Sequence, residues 1–371
     1  MDAVKAIFDP EIWARVPFGF WAVVFFVFGS VVGSFLNVCI YRMPLGLSVV
    51  SPPSHCPHCK YAIPWFLNVP LLTWISLRGK CKNCRAPISI RYFLVELLTG
   101  VTFLGCWIGF GHASVWLALV YSLFLAGLIA ATFIDFEHFI IPDEITLGGM
   151  GVGLVCSFLL PALHGEAFIT GGMKQSILGL VVGGALIYAI LRAGKLLFGR
   201  QRLALPPNTK IVFTETSVHL PDQEIPYEEI FYRQSDAIIL QAQTVELVDR
   251  GYQNVRVRLA LLGNKLEIGD ELLDPAFCHH LEVVASELLL PREAMGLGDV
   301  KFMAAIGAFL GWQATIFSLM LSSMIGSVVG IALIILGKRE WSSRLPYGPY
   351  IAMAAVVWVF AGKWIMQHFF F

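Results

Sequence analysis

Two aspartates far apart in the sequence stand at the ends of long uncharged runs. Asp135 closes the run 97–134, and Asp299 opens another run within the segment Met295-Gly-Leu-Gly-Asp-Val-Lys301. A carboxylate at the edge of a bilayer is unfavourable unless it is paired or functional. Two neighbouring carboxylates share a proton, so the ionised one can activate water while the protonated one polarises a peptide carbonyl. The pair predicts aspartyl-protease chemistry, with an ion or proton pathway as the alternative.

The segment around Asp299 contains three residues with predicted supporting roles. Gly296 and Gly298 carry no side chains, which allows the backbone to turn sharply and another segment to approach closely. Lys301 is predicted either to tune the acid pair electrostatically or to extend its amine to the membrane interface.

Helix capping is the structural alternative for these acids. Asp143 follows Pro142, which stops the preceding helix, and is well placed to cap the next one. Asp299 could also cap the helix that follows it. Asp135 has no such role, because a carboxylate is unfavourable at the C-terminus of a helix. Asp135 is therefore the acid that most needs a functional explanation.

Four cysteines form a second constellation, Cys56-Pro-His-Cys59 and, after 21 intervening residues, Cys81-Lys-Asn-Cys84. Each pair can form a knuckle, and two knuckles complete a closed tetrahedral zinc site. Disulfides are the alternative, but residues 42–91 hold seven Lys or Arg and no Asp or Glu. Such a loop is predicted to be cytoplasmic, where thiols stay reduced. One zinc ion is predicted, and it is structural because a closed site has no open position for substrate.

The remaining histidines and cysteines of interest receive structural interpretations. His55 and His58 flank the first knuckle and are predicted to be surface residues rather than ligands. The scattered cysteines are predicted to be small core residues; they are Cys39, Cys106, Cys156 and Cys278.

Composition indicates a polytopic membrane protein. Of 371 residues, 57% are hydrophobic and only 14% charged, and mean hydropathy is +0.72. Soluble domains are about a quarter charged. The net charge is zero, which gives no indication of a nucleic-acid partner. The first uncharged run is full length and lacks a basic leader, so no cleavable signal peptide is predicted.

Uncharged runs predict about eight transmembrane helices. They are 16–41, two within 97–134 separated near Gly109–His112, 145–165, 175–191, two within 302–337 separated near Gly311–Gln313, and 345–362. Small residues in the first run, among them Gly29, Ser30, Gly33 and Ser34, predict close helix packing. Every basic loop then falls on one side, which places both termini outside and both acids at the cytoplasmic face.

Five segments follow from this division of the chain. The N-terminal segment and first span occupy 1–41, the zinc-binding loop 42–91, spans two to five 92–199, an inserted soluble domain 200–292, and the last three spans 293–371. In the insert, alternating or β-branched residues at 210–214, 237–240 and 254–259 predict strands. A helix is predicted near 275–290. The predicted fold is all-α in the membrane with a β-rich cytoplasmic insert of no recognisable role.

Several motifs together resemble the bacterial type IV prepilin peptidases. They are Gly33–Pro44, Pro52–Cys59, Asn68–Trp74, Arg78–Cys81, Pro87–Tyr92, Glu96–Thr99, Ile134–Asp135 with Ile141–Asp143, and Gly296–Lys301. Two departures stand out: the insert is not typical of that family, and Phe93 stands where a proline is expected.

The resemblance implies that Asp135 and Asp299 are catalytic and that the four knuckle cysteines bind zinc. It implies cleavage of the basic leader of type IV prepilins or pseudopilins at the inner membrane. Methylation of the new N-terminus with S-adenosylmethionine would follow, at a donor site that the sequence does not reveal. The rival hypotheses are a transporter or proton channel using both acids, and a secretion scaffold that has lost activity.

Overall fold

The computed structural model describes residues 17–198, 200–221, 224–227, 230–231, 236–247, 250–275, 281–291, 296–336 and 345–369. They form two compact units. One contains the described residues up to Tyr188 and from Leu297 onward, and the other is Ala189–Gly296. The boundary at Tyr188 falls within a long helix.

The first unit is built from helices joined by loops, one of which holds the two Cys-x-x-Cys segments. Its α-helices are α1 Phe18–Arg42, α2 Leu72–Ser76, α3 Ile90–Phe110, α4 Val115–His138, α5 Asp143–Leu159, α6 Ile169–Phe198, α7 Leu297–Leu310, α8 Trp312–Ile335 and α9 Gly348–Phe369. Helix α6 is the one that crosses the boundary between the units. Within the described residues, five helical stretches are long and apolar enough to cross a membrane: Phe18–Leu45, Ile90–Phe110, Val115–His138, Ile169–Leu196 and Trp312–Ile335. Several apolar helices are present as predicted, whereas the multi-pass arrangement and the number eight stay predictions.

The predicted helix breaks occur where glycine and turn residues interrupt the apolar runs. Helix α3 ends at Phe110 and α4 begins at Val115, with Ser114 accepting the N–H of Leu117 as its cap. Gly311 separates α7 from α8 with a φ of 83°, a conformation that favours glycine. A short helix and a long one therefore replace one continuous span.

Small residues let the helices approach closely, as predicted for the first span. A Cβ on Gly33 would lie 2.8 Å from the Glu96 Cα, and one on Gly29 would lie 2.7 Å from the Phe103 side chain. Close backbone approach through small residues is the usual way for apolar helices to associate in a membrane.

The second unit contains a sheet whose described strands are all paired antiparallel. They are β1 Arg200–Phe213, β2 Ser217–His219, β3 Glu224–Pro226, β4 Ile238–Glu246, β5 Gly251–Ala260, β6 Lys265–Ile268, β7 Glu271–Leu273 and β8 Leu281–Pro291. Their order across the sheet is β3-β2-β1-β8-β4-β5-β6-β7. The three predicted strand segments lie on β1, β4 and β5, so the β-rich insert is confirmed.

The helix predicted near 275–290 is wrong over the described part of that range. Residues 276–280 lie outside the described residues, and β8 occupies 281–291. This strand lies between β1 and β4 and pairs with both. The leucines and glutamates of the segment favour helix in isolation, but pairing on two sides outweighs that local preference.

Candidate active site and metal centre

The two Cys-x-x-Cys segments fold into a matched pair of knuckles. In the first, the Lys60 N–H donates to the Cys56 carbonyl; in the second, the Arg85 N–H donates to the Cys81 carbonyl. Lys60 and Arg85, each directly after the second cysteine of its pair, have φ of 58° and 62°. The same local turn therefore presents both thiols of each segment toward one centre.

The four sulfur atoms fit a tetrahedral zinc ion. All lie within 4.8 Å of one another, with 3.8 Å between the Cys56 and Cys84 Sγ atoms and 4.0 Å between those of Cys59 and Cys81. Zinc–sulfur bonds of about 2.3 Å place tetrahedral sulfurs about 3.8 Å apart. All four cysteines are free thiols, so the cluster suits a metal rather than disulfides.

Hydrogen bonds to Cys59 favour the thiolate that a metal binds. The Tyr61 backbone N–H, followed by the Asn83 side-chain amide, lowers the pKa of the Cys59 thiol to about 6. The Asn83 Nδ2 lies 3.6 Å from the Cys59 Sγ. Donors of this kind around thiolate ligands orient them and tune the metal.

Glu96 connects the knuckle loop to the helices and has no role in the sequence-based assignment. Its Oε2 accepts the N–H of Leu71 at 2.7 Å, while Leu71 has a φ of 61°. Glu96 is buried on α3. The sequence signal was an acidic residue directly before the uncharged run 97–134, which needs a partner once it is buried.

Asp135 is buried three residues before the end of α4. Its Oδ2 accepts the backbone N–H of Gly348 at 2.9 Å, the first residue of α9. A Cβ on Gly348 would lie 2.8 Å from the same oxygen, so only glycine allows this approach. The N-terminus of a helix, with its exposed N–H groups, is a favourable place for an anion.

Tyr347 fixes the backbone that leads into this contact. Its hydroxyl lies 2.9 Å from the Ser322 Oγ and 3.0 Å from the Ser323 Oγ, both on α8. Neither Tyr347 nor Gly348 was singled out from the sequence. The only signal was the Gly-Pro pair at 348–349, which is typical of a helix start.

Asp299 lies in the first turn of α7 and is half-buried. The helix begins at Leu297, so the sharp turn predicted at Gly298 is wrong. A Cβ on Gly298 would lie 3.5 Å from the Cβ and N of Ile141, an ordinary van der Waals contact, so the predicted need for glycine at this position stays a prediction. Gly296, directly before the helix, is exposed.

Ile141 is the residue around which both acid segments gather. It is buried and contacts Gly298 beside Asp299. Its Cδ1 would also lie 3.2 Å from a Cβ on Gly348, the residue that donates to Asp135. The structure thus brings the end of α4, the start of α7 and the start of α9 to one place.

An ion pair joins α5 to α7 at the same end. The Lys301 Nζ lies 2.6 Å from an Asp143 carboxylate oxygen. The helix cap predicted for Asp143 is wrong, because the capping position is Pro142 and the structure gives no side-chain cap there. Asp143 instead lies in the first turn of α5 and holds the amine of Lys301, a role that neither prediction for the lysine included.

Comparison with known proteins agrees with these two clusters. The family described as Bacterial Peptidase A24 N-terminal domain matches residues 27–110. The Type IV leader peptidase family matches residues 122–203 and 267–331. The chain belongs to the type IV leader peptidase family. The matched ranges hold all four knuckle cysteines, Asp135 and Asp299, whereas Gly348 lies beyond them.

Relatives of this chain share a two-part name. A prepilin leader peptidase/N-methyltransferase of Aeromonas hydrophila is 28% identical over 387 residues, covering 97% of this chain and 98% of the relative. One of Myxococcus xanthus is 43% identical over 164 residues, covering 44% of this chain and 46% of the relative. One of Stutzerimonas stutzeri is 26% identical, covering 90% and 89%. No solved structure matches the chain.

The family match is interrupted within the insert. Residues 204–266, which include most of the sheet from β1 to β6, lie outside both matched segments. The interruption agrees with an additional domain placed between the helices that carry the two acids.

Proposed function

We propose that this chain is a membrane aspartyl endopeptidase that removes the basic leader of type IV prepilins or pseudopilins and then methylates the new N-terminal residue. The observation that carries the proposal is the arrangement around Ile141, where the segments of Asp135 and Asp299 meet. The family, and the names of the relatives, support both activities.

The two acids have different surroundings. Asp135 is buried and accepts the Gly348 N–H at 2.9 Å, whereas Asp299 is half-buried. We propose that the pair shares one proton. The ionised member removes a proton from the attacking water, and the protonated member donates a hydrogen bond to the carbonyl oxygen of the scissile peptide.

The position of the acids relative to the membrane follows from the basic zinc loop. Residues 42–91 hold only positive charges and are proposed to lie in the cytoplasm at the inner membrane. The acids then lie at the cytoplasmic face. The leader of a prepilin is accessible on that side, while its hydrophobic segment remains in the bilayer.

Two cofactors accompany this function. The thiols of Cys56, Cys59, Cys81 and Cys84 would hold one zinc ion, which supplies folding free energy to the loop when bound. S-adenosylmethionine is the proposed methyl donor, and we assign it no residues.

The test is co-expression with a prepilin, followed by mass spectrometry of the pilin N-terminus. Wild-type protein is expected to yield a shortened and methylated pilin. Asp135→Asn and Asp299→Asn should each abolish cleavage while protein level and zinc content stay normal, because neither residue lies in the knuckles.

Cys81→Ser provides the opposite pattern as a control. It should lower zinc content and protein level together, since removal of one thiolate opens the closed site. His58→Ala, between the two cysteines of the first knuckle, should leave zinc content unchanged. Complete cleavage by either asparagine variant would reject the acid pair.

A further inference from the structure

An apolar groove lies between the three helices that carry or adjoin the two acids. Its cavity volume is about 340 Å³, and Glu144 provides the charged side chain of its lining. Each helix contributes one stripe at helical spacing. On α5 the stripe is Ile145, Gly148, Gly149, Val152 and Cys156.

Glycines leave space along this groove. A Cβ built on Gly127 of α4 or on Gly148 of α5 would meet nothing within 4 Å. Both residues line the cavity. A segment from outside the described chain can therefore approach the backbones of two helices at this place.

Neither acid lines the groove, but each lies beyond it on the continuation of one of the lining stripes. Asp135 is seven residues after the lining residue Leu128 on α4, and Asp299 is seven residues before the lining residue Ile306 on α7. Seven residues are nearly two complete helical turns, or about 10 Å along the axis. A chain seated in the groove and followed toward the start of α7 thus reaches both carboxylates.

The charge at this end of the groove selects between possible occupants. Glu144 is exposed, and among the described residues it has no ion pair. Its carboxylate attracts a positively charged leader and repels the phosphate of a lipid headgroup. A lipid would fill the apolar part of the groove but would not use this carboxylate.

We propose that this groove seats the hydrophobic segment that follows the leader in the substrate pilin. The inference rests on the proposed function and identifies the surface that positions the scissile bond. Apolar side chains of the pilin pack along α4, α5 and α7, and close approach occurs at Gly127 and Gly148. The basic leader then passes Glu144 beside the acids.

Filling the groove tests the proposal directly. The Cβ of Gly148→Leu would meet nothing within 4 Å in the native fold, and the rest of the side chain would extend from a residue that lines the groove. Gly151→Leu on the same helix is the matched control, because a Cβ there also meets nothing within 4 Å and Gly151 does not line the groove. Gly148→Leu is expected to slow cleavage of a full-length, membrane-inserted prepilin by about tenfold or more, since apolar contacts are lost.

Photo-crosslinking supplies a second measurement that does not depend on rate. In the Asp299→Asn background, a photoreactive amino acid replaces Val152, which lines the groove, or Val155, which does not. The two positions are matched in exposure, at 54% and 58%. A crosslink from position 152 to the hydrophobic segment of the co-expressed prepilin, absent from position 155, is expected.

The outcomes separate the groove from the proposed function. Equal cleavage by Gly148→Leu and Gly151→Leu in an otherwise active enzyme would overturn the groove alone. Crosslinks from position 152 to lipid only, or equal pilin crosslinks from both positions, would overturn it as well. A wild-type protein that never cleaves a prepilin would remove the proposed function, and the groove proposal with it.

Discussion

The N-terminal and C-terminal ends of the helices α5 and α7 differ in the polar side chains that they hold. At the N-terminal ends lie the ionisable side chains of Asp143, Lys301 and Asp299, near the end of α4 that holds the buried Asp135. At the C-terminal ends, Ser157, Ser176 and His164 form a hydrogen-bonded cluster, with Glu166 nearby. The same pair of helices therefore carries ionisable side chains at one end and, at the other, a neutral cluster of two serines and a histidine with one carboxylate nearby.

The neutral cluster is centred on the Ala308 carbonyl of α7. Ser176 donates to that oxygen at 2.7 Å, and Ser157 lies 3.3 Å from it. The His164 Nε2 lies 2.8 Å from the Ser157 Oγ. Ser157 has one hydrogen and carbonyl acceptors in reach, at Gly153 and Ala308, so the histidine nitrogen is the donor.

The comparison shows where this fold can hold charge. Asp135 lies at a helix C-terminus, where its own helix dipole is unfavourable, and α9 compensates by directing its first N–H at the carboxylate. At His164, burial outweighs the opposing effect of the nearby Glu166 carboxylate and lowers the pKa of the ring to about 4, so the ring is neutral at neutral pH. A charged end is suited to proton transfer, and a neutral end is suited to packing.

Removing the N–H donation from Gly348 to Asp135 should have the largest effect on cleavage. In Gly348→Ala the new Cβ would lie 2.8 Å from the carboxylate oxygen, which must move and lose the N–H donation. We expect cleavage to fall by about 100-fold, because a misplacement of about 1 Å carries a penalty of this size. The measurement is the rate of prepilin cleavage in membranes, normalised to protein level.

Gly151→Ala is the control for this substitution. It adds the same methyl group to a helix of the same unit where nothing lies within 4 Å. Full activity of Gly348→Ala would show that α9 does not position Asp135, and the contrast between the two ends would lose its main support.

The ion pair between Asp143 and Lys301 should have an intermediate effect. Both side chains are partly exposed, at 57% and 36%, so the pair contributes about 0–1 kcal/mol to stability. Its removal by Asp143→Asn should mainly loosen the start of α7 and slow cleavage by about threefold to tenfold. The readout is kcat with unchanged thermal stability.

A double-mutant cycle sharpens this prediction. If the two side chains act through each other, Asp143→Asn combined with Lys301→Gln should be no slower than the worse single variant. Additive losses would mean that Lys301 acts on the acids independently of Asp143.

Structural features that depend on neighbouring residues could be predicted from local patterns in the sequence. The knuckles form within eight residues each, so the cysteine spacing was sufficient to predict their shape. The helix break at Gly311 and the strands around residues 210 and 255 also follow from short-range patterns. The insert shows the limit, since β8 contains good helix formers and becomes a strand through its pairing with β1 and β4.

Long-range partners were not predictable from one sequence. Gly348 is 213 residues from Asp135, and Lys301 is 158 residues from Asp143. The acids themselves were identified because charge stands out beside uncharged runs. A backbone N–H has no signature in the sequence, so the group that holds Asp135 emerged only with the fold.

The smallest effect is expected at the neutral cluster. There, protein stability should depend on pH, whereas cleavage at neutral pH should not depend on His164. The folded-state pKa of His164 is about 4, below its unfolded value of about 6.5. As pH falls from about 6.5 to about 4, the unfolded chain binds a proton that the folded protein does not, so stability decreases over that window. We expect a loss of about 1–2 kcal/mol, after allowance for the partial exposure of the ring.

His164→Gln should flatten the pH dependence of the melting temperature in this window and leave cleavage at neutral pH unchanged. If the melting temperature of His164→Gln depends on pH as steeply as that of the wild type, or more steeply, the ring is already charged in the native state. The two ends of the bundle would then not differ in charge.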